Sequence, residues 1–180
     1  HTRFRNVTGV QTCALPICTI LHLASEIFKS AGQLDVQHIP YKGSSPATQA
    51  ILSNEVSFVF STMPPAVSNA RAGKLRALAV TTPKRVSAAT EVPTMIEAGV
   101  SGFEVVLYSG IMGPKGIDPA IVKRLNAEFA KAVNSDEIRK VYENLGADPL
   151  LGSPEALTEM VTREIAKLGP VVRATGAKVD

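Results

Sequence analysis

Few residues in this chain are equipped for chemistry. Beyond residue 18 the histidines are His22 and His38. Nucleophilic catalysis needs a nucleophile, a base and a group that orients the base. Ser44 with His38 is the pair a serine-dependent hydrolase would use, and no orienting carboxylate is spaced with them. The sequence has no GxSxG elbow, no HExxH, no GxGxxG and no GxxxxGK[ST]. Glu128, Asp136, Glu137, Glu143, Glu155, Glu159 and Glu164 fall on polar faces of helical patterns, where carboxylates are usually solvated. The expectation is therefore no catalytic residue, no enzyme and no cofactor. Cys13, Cys18 and His22 fit no strong zinc spacing and lack a fourth ligand, so no metal site is expected either.

What stands out is small polar residues where strands lead into helices. Tyr41-Lys42-Gly43-Ser44-Ser45-Pro46 is one such turn. Gly43 admits close approach of the backbone to a ligand. The following helix would aim free N–H groups and a partial positive charge outward, which suits an anion such as a carboxylate. Ser61-Thr62 before Pro64-Pro65, and Thr19 with His22, are placed the same way. In open α/β sheets ligands sit beyond the carboxyl ends of the strands. The competing reading is plain N-capping, which Ser and Thr do everywhere.

The elements that must position these turns alternate. Thr19 can cap a helix to about Ala31, with Leu23, Ile27 and Ala31 on one face and Gly32 as its stop. Asp35 to Tyr41 reads as a strand. Ser44 starts a helix with Ala47, Ala50 and Ile51 inward, and Ser57 to Phe60 suits a buried parallel strand. Pro64-Pro65 opens a helix ending near Gly73, and Leu75 to Thr81 reads as another strand. A Pro-punctuated stretch, with a short helix around Pro93 to Ala98, leads to an apolar strand from Val105 to Met112. Three helices follow, opened by Asp118-Pro119, Ser135-Asp136-Glu137 and Ser153-Pro154-Glu155. Ile121, Val122, Leu125, Phe129 and Val133 recur at helical spacing in the first. Leu157, Met160, Val161, Ile165 and Leu168 do so in the last. The alternation argues an α/β fold with a parallel sheet.

Composition narrows the partners. The 180 residues are 45% hydrophobic and 19% charged, which excludes disorder as the main state. A chain of this size buries about 70% of its unfolded surface. A formal charge of +3, 5% aromatics and no Trp give no footing for nucleic acid. No run of apolar residues is long enough to span a bilayer.

Val7 to Ile17, VTGVQTCALPI, resembles one reading frame of a common sequencing adapter. Residues 1–18 are accordingly expected to be non-native and to lie outside the fold. Setting them aside removes Arg3 and Arg5 and brings the charge close to neutral. A signal peptide is expected to belong to the natural protein ahead of the residues given.

From Thr19 onward the chain resembles a known family. The stretches that carry the likeness are HLASEIFKSAG, VQHIPYKGSSPATQAIL and SFVFSTMPPAVSNARAGKLRALAVTTPKR. EVPTMIEAGVSGFEV, GPKGIDPAIVKRLNAEFAKAV and LGADPLLGSPEAL continue it. They are similar to the Bug-type solute receptors of tripartite tricarboxylate transporters. That resemblance implies a periplasmic-binding-protein-like two-lobe α/β fold, type II-like, closing on a small carboxylate. It implies residues 19–104 as the second lobe, and 105–180 as an inter-lobe strand plus the C-terminal part of an incomplete first lobe. It implies ligand contacts at Thr19, His22, Tyr41, Gly43, Ser44, Ser61 and Thr62, with Lys42 turned to solvent or to a neighbour. It also implies a periplasmic, monomeric receptor that serves membrane transporter subunits. A same-fold sensor feeding a signalling protein is the alternative. Ser61-Thr62 stand where many members carry Asp-Asn or a similar polar pair, and Tyr108-Ser109 where many carry an aromatic pair including Trp, so the ligand itself is left open. With no opposing wall visible in the sequence, millimolar binding at best is expected of these 180 residues.

Overall fold

The computed structural model describes residues 11–16 and 19–175. Three parallel strands form the sheet: β1 (Gln11–Pro16), β2 (Val36–Tyr41) and β3 (Phe58–Val59), in the order β2-β1-β3. Cys13 faces His38 on one side and Phe58 on the other. Helix α1 (Ile20–Gly32) connects β1 to β2, and α2 (Ser44–Leu52) carries the chain back across β1 to β3.

Residue alternation assigns the two faces. Cys13, Val36, Phe58 and Phe60 pack with Leu21 and Leu34, so one face lies under α1. Ile39, Tyr41 and Val59 pack on Ala47, Ala50 and Val56, so the other lies under α2. Small residues let α2 come close: Ala47 and Ala50 are fully buried. On the α1 side Phe28 meets Phe58, Phe60 and Phe103 edge-on, with centroids 5.9–6.4 Å apart. Ala24, Met95, Phe103 and Val105 complete that core.

Helix α3 (Met63–Arg71) follows β3. Its Met63 and Val67 pack on Val80, Val86, Ala89 and Val92, around a 3-10 turn at Ser87–Ala89. Helices α4 (Pro119–Val133), α5 (Asp136–Leu145) and α6 (Pro154–Thr175) complete the chain, with α6 against α1.

Most helix boundaries agree with the sequence reading; four expectations do not. Gln11–Pro16, expected outside the fold, is the central strand, and its Cys13 is fully buried. Residues 1–10 and Cys18 lie outside the described residues. The strand expected over Leu75 to Thr81 is a single bridge, Val80 to Thr94, because neither neighbour continues the pairing. The strand expected over Val105 to Met112 is likewise not formed. Val105 N–H donates to the Thr81 carbonyl at 3.0 Å, after which Leu107, Ile111 and Met112 are exposed. The helix expected over Pro93 to Ala98 is one turn, closed by a reciprocal cap. Glu97 N–H donates to Thr94 Oγ1, and Thr94 N–H donates to Glu97 Oε2 at 2.7 Å.

Inward faces also differ in detail. On α1 the buried residues are Ala24 and Ser25, while Leu23 is half-buried and Ala31 exposed. On α6 Met160 is buried but Ile165 is 67% exposed. On α4 the stripe of Ile121, Leu125 and Phe129 is exposed, although its spacing is helical as expected.

Candidate functional site

The three polar turns singled out in the sequence all lie at the carboxyl end of the sheet. Parallel strands force this, since every β-to-α turn then leaves from the same edge. Thr19 precedes α1 after β1, Gly43 precedes α2 after β2, and Thr62 precedes α3 after β3. Because β1 is flanked by β2 and β3, the three helix N-termini follow neighbouring strands. The order 2-1-3 also puts the reversal of strand order between β1 and β3, the crevice where open α/β sheets bind ligands.

Capping chemistry separates these helices from the others. Thr19, Gly43 and Thr62 make no side-chain cap bond to their helices. Asp118 Oδ1 accepts from Ala120 N–H at 2.8 Å, Ser135 Oγ accepts from Ile138 N–H, and Ser153 Oγ accepts from Ala156 N–H. Each C-terminal helix thus carries a side-chain cap bond, whereas Thr19 and Thr62 give none to their helices and Gly43 has no side chain to give one. Free first-turn N–H groups with a helix dipole behind them are anion receptors. Plain capping therefore does not account for Thr19 and Thr62.

Each residue has a definite place. Gly43 sits at φ +107°, with nothing within 4 Å of where a Cβ would stand, and its N–H donates to the Tyr41 carbonyl at 3.0 Å. Only glycine holds that conformation without strain. Ser44 is the first residue of α2, and Thr48 Oγ1 donates to its carbonyl. Lys42 is exposed. The Tyr41 ring packs against the α2 core, so part of it serves packing. Ser61 Oγ donates to the Thr62 carbonyl at 3.2 Å.

His22 lies in the first turn of α1, its N–H donating to the Thr19 carbonyl. Its ring is 4.5 Å from that of His38, tilted by 38°. The two are neighbours because His38 is on the α1 face of β2. The sequence reading sets His38 beside Ser44 and does not bring it to His22; the even spacing of Val36 and His38 along the strand is the available signal. This stack turns His38 toward α1, whereas Ser44 begins α2, the helix on the opposite face. Among the described residues no group of three or more His, Cys, Asp or Glu is arranged to hold a metal ion.

Cys13, beneath this edge, is held by Ser25 Oγ at 3.6 Å, and burial pushes its thiol up to about 11. Desolvation also raises Tyr108, with Glu164 and Glu104 adding to the effect. Glu97 is held below the usual carboxylate range, chiefly by its hydrogen bonds from Arg85.

Residues 5–177 match the family described as the tripartite tricarboxylate transporter family receptor. The chain belongs to this family. The matched range begins inside the segment expected to be foreign. Among curated proteins, the protein BugT of Bordetella pertussis is 35% identical over 158 residues, 88% of this chain and 48% of BugT. Rpa4515 of R. palustris, solved with adipate, is 31% identical with a TM-score of 0.81, over 92% of this chain and 56% of that one. MatC of Rhodopseudomonas palustris, solved with bound malate, is 28% identical with a TM-score of 0.75, over 90% of this chain and 56% of that one. The chain thus spans about half the length of these relatives. The fold is that of the periplasmic binding proteins of this family, of which it holds an α/β part.

Proposed function

We propose that this receptor chain forms one wall of a site for a small dicarboxylate, in a periplasmic protein that passes its ligand to membrane transporter subunits and is itself monomeric. The observation that carries the reading is that three helix N-termini follow neighbouring parallel strands and open without a side-chain cap bond, in contrast to α4, α5 and α6. The adipate in Rpa4515 and the malate in MatC support the ligand class. One carboxylate would accept from the α2 terminus at Gly43 and Ser44. The termini at Thr19 and His22, and at Ser61 and Thr62, would receive the rest of the ligand.

Magnitudes set the strength. Helix-terminus contacts contribute roughly 0.3–2 kcal/mol each. Three of them reach about 4 kcal/mol, which corresponds to millimolar binding. Micromolar binding needs about 8 kcal/mol and so requires contacts from a second wall. Titration of the chain with succinate, malate and adipate, followed by backbone amide shifts, tests this. The expected shifts fall on the amides that open α1, α2 and α3. Gly43→Val should abolish them at α2, while Lys42→Ala should leave them nearly unchanged. Equal losses would place the affinity in the lysine charge. Shifts confined to α4, α5 and α6 would overturn the assignment.

A further inference from the structure

Helix α3 follows a short strand. β3 is two residues long and among the described residues pairs with Cys13 and Ala14 of β1. Ser61 Oγ bonds no farther than the next carbonyl, and Thr62 gives no cap bond. At its other end α3 is fixed, since the Arg71 guanidinium donates to the Ala88 carbonyl at 3.0 Å.

A second hold, at the start of α3, comes from a distant part of the chain. Helix α5 ends in Gly146, at φ +62° and ψ +37°. Its Cα side lies directly on the first residue of α3. A Cβ built there would stand 3.0 Å from Met63 Cβ and 3.2 Å from Ala88 Cβ. Both neighbours are anchored to backbone, so neither can swing aside as a flexible chain end would.

We propose that Gly146 is a positioning residue for the binding wall: its bare Cα lets α5 seat on Met63 and so sets where Ser61 and Thr62 stand. The inference rests on the dicarboxylate reading for its functional meaning, though not for its geometry. Ligand length would be sensed here, because this terminus and that of α2 follow the two outer strands of the sheet. A shift of α3 changes the span between them.

The test compares glycines. Gly146→Ala adds both backbone strain and the contact. Gly146→Asn adds the contact with less strain, since Asn tolerates the left-handed region, and keeps the test open if the alanine variant fails to fold. Gly116→Ala adds strain alone, because Gly116 has φ +85° with nothing within 4 Å. Amide spectra of the 180-residue chain are recorded with and without succinate and adipate. Both Gly146 variants should shift the Ser61 and Thr62 amides. They should also change the succinate-to-adipate affinity ratio by about fivefold, with no such change in Gly116→Ala. In a double-mutant cycle with Met63→Gly the effect of Gly146→Ala on the Ser61 and Thr62 amides should shrink, leaving the part due to Ala88 and to backbone strain. Unmoved Ser61 and Thr62 amides, or an equal change in Gly116→Ala, would overturn the proposal. If the unmodified chain shows no response to either acid, the dicarboxylate reading fails, and the amide comparison still decides the positioning role.

Discussion

Cys13 shows how one residue couples burial to pH. Its thiol is fully buried, and the loss of solvent outweighs the Ser25 hydrogen bond, so the proton is held to about pH 11. An exposed cysteine loses its proton near 8.5. The neutral thiol is the form the fold favours, so its contribution is complete below pH 8.5. It declines as pH rises from there through about 11. Chemical denaturation at pH 7 and pH 10.5 should show lower stability at the higher value, and Cys13→Ala should reduce the difference. Native-state alkylation mapped by peptide mass should leave Cys13 unmodified at pH 8. Rapid labelling would contradict its burial.

Among elements, the contrast between capped and uncapped helices separates stability from binding. Ser135 Oγ accepts from Ile138 N–H, so Ser135→Ala should cost about 1 kcal/mol, read from urea midpoints, and leave carboxylate-induced shifts alone. Thr62 makes no such bond, so Thr62→Ala should cost less than about 0.5 kcal/mol. It should instead weaken the shifts at α3. The reverse pattern would mean that Thr62 is an ordinary cap. Elements with strong end signals were legible in the sequence: Asp118-Pro119 opens α4 where the structure has it. Elements that depend on a distant partner were not. Leu75 to Thr81 and Val105 to Met112 have strand-like side chains, but a strand exists only where another chain segment completes its ladder. Gln11–Pro16 is the converse case: its likeness to an adapter frame marks it as foreign, whereas membership of a sheet is decided by the partners that a strand meets, here β2 and β3. The three candidate turns were legible because strand-to-helix junctions are local. The His22–His38 stack and the Gly146–Met63 contact were not, since each joins segments that only the tertiary fold brings together.

Across the whole molecule, burial is uneven. The core lies around the sheet, α1 and the Val80–Val105 stretch, while α4 shows Ile121, Leu125 and Phe129 at 41–50% exposure. Helical spacing correctly marked these residues as one stripe, but spacing does not supply a partner for it. Leu125→Lys should therefore change stability by less than about 0.5 kcal/mol. Burying Leu125 would instead make the same substitution cost about 3 kcal/mol. Urea unfolding followed by circular dichroism separates the two. Large exposed apolar patches also favour association. Sedimentation at rising concentration should show less of it in Leu125→Lys than in the parent chain.

The strand order has a consequence for how the chain comes together in time. β1 precedes β2 and β3 in sequence yet lies between them in space, and β2 and β3 touch it but not each other. As the polypeptide is synthesised, the keystone emerges before either neighbour. The α1 connection lets β2 join it early, with one flank of β1 still unoccupied. That flank closes only when α2 has crossed over and β3 arrives. Until then the nascent sheet presents its middle strand as an edge, open to pairing with any other extended segment nearby.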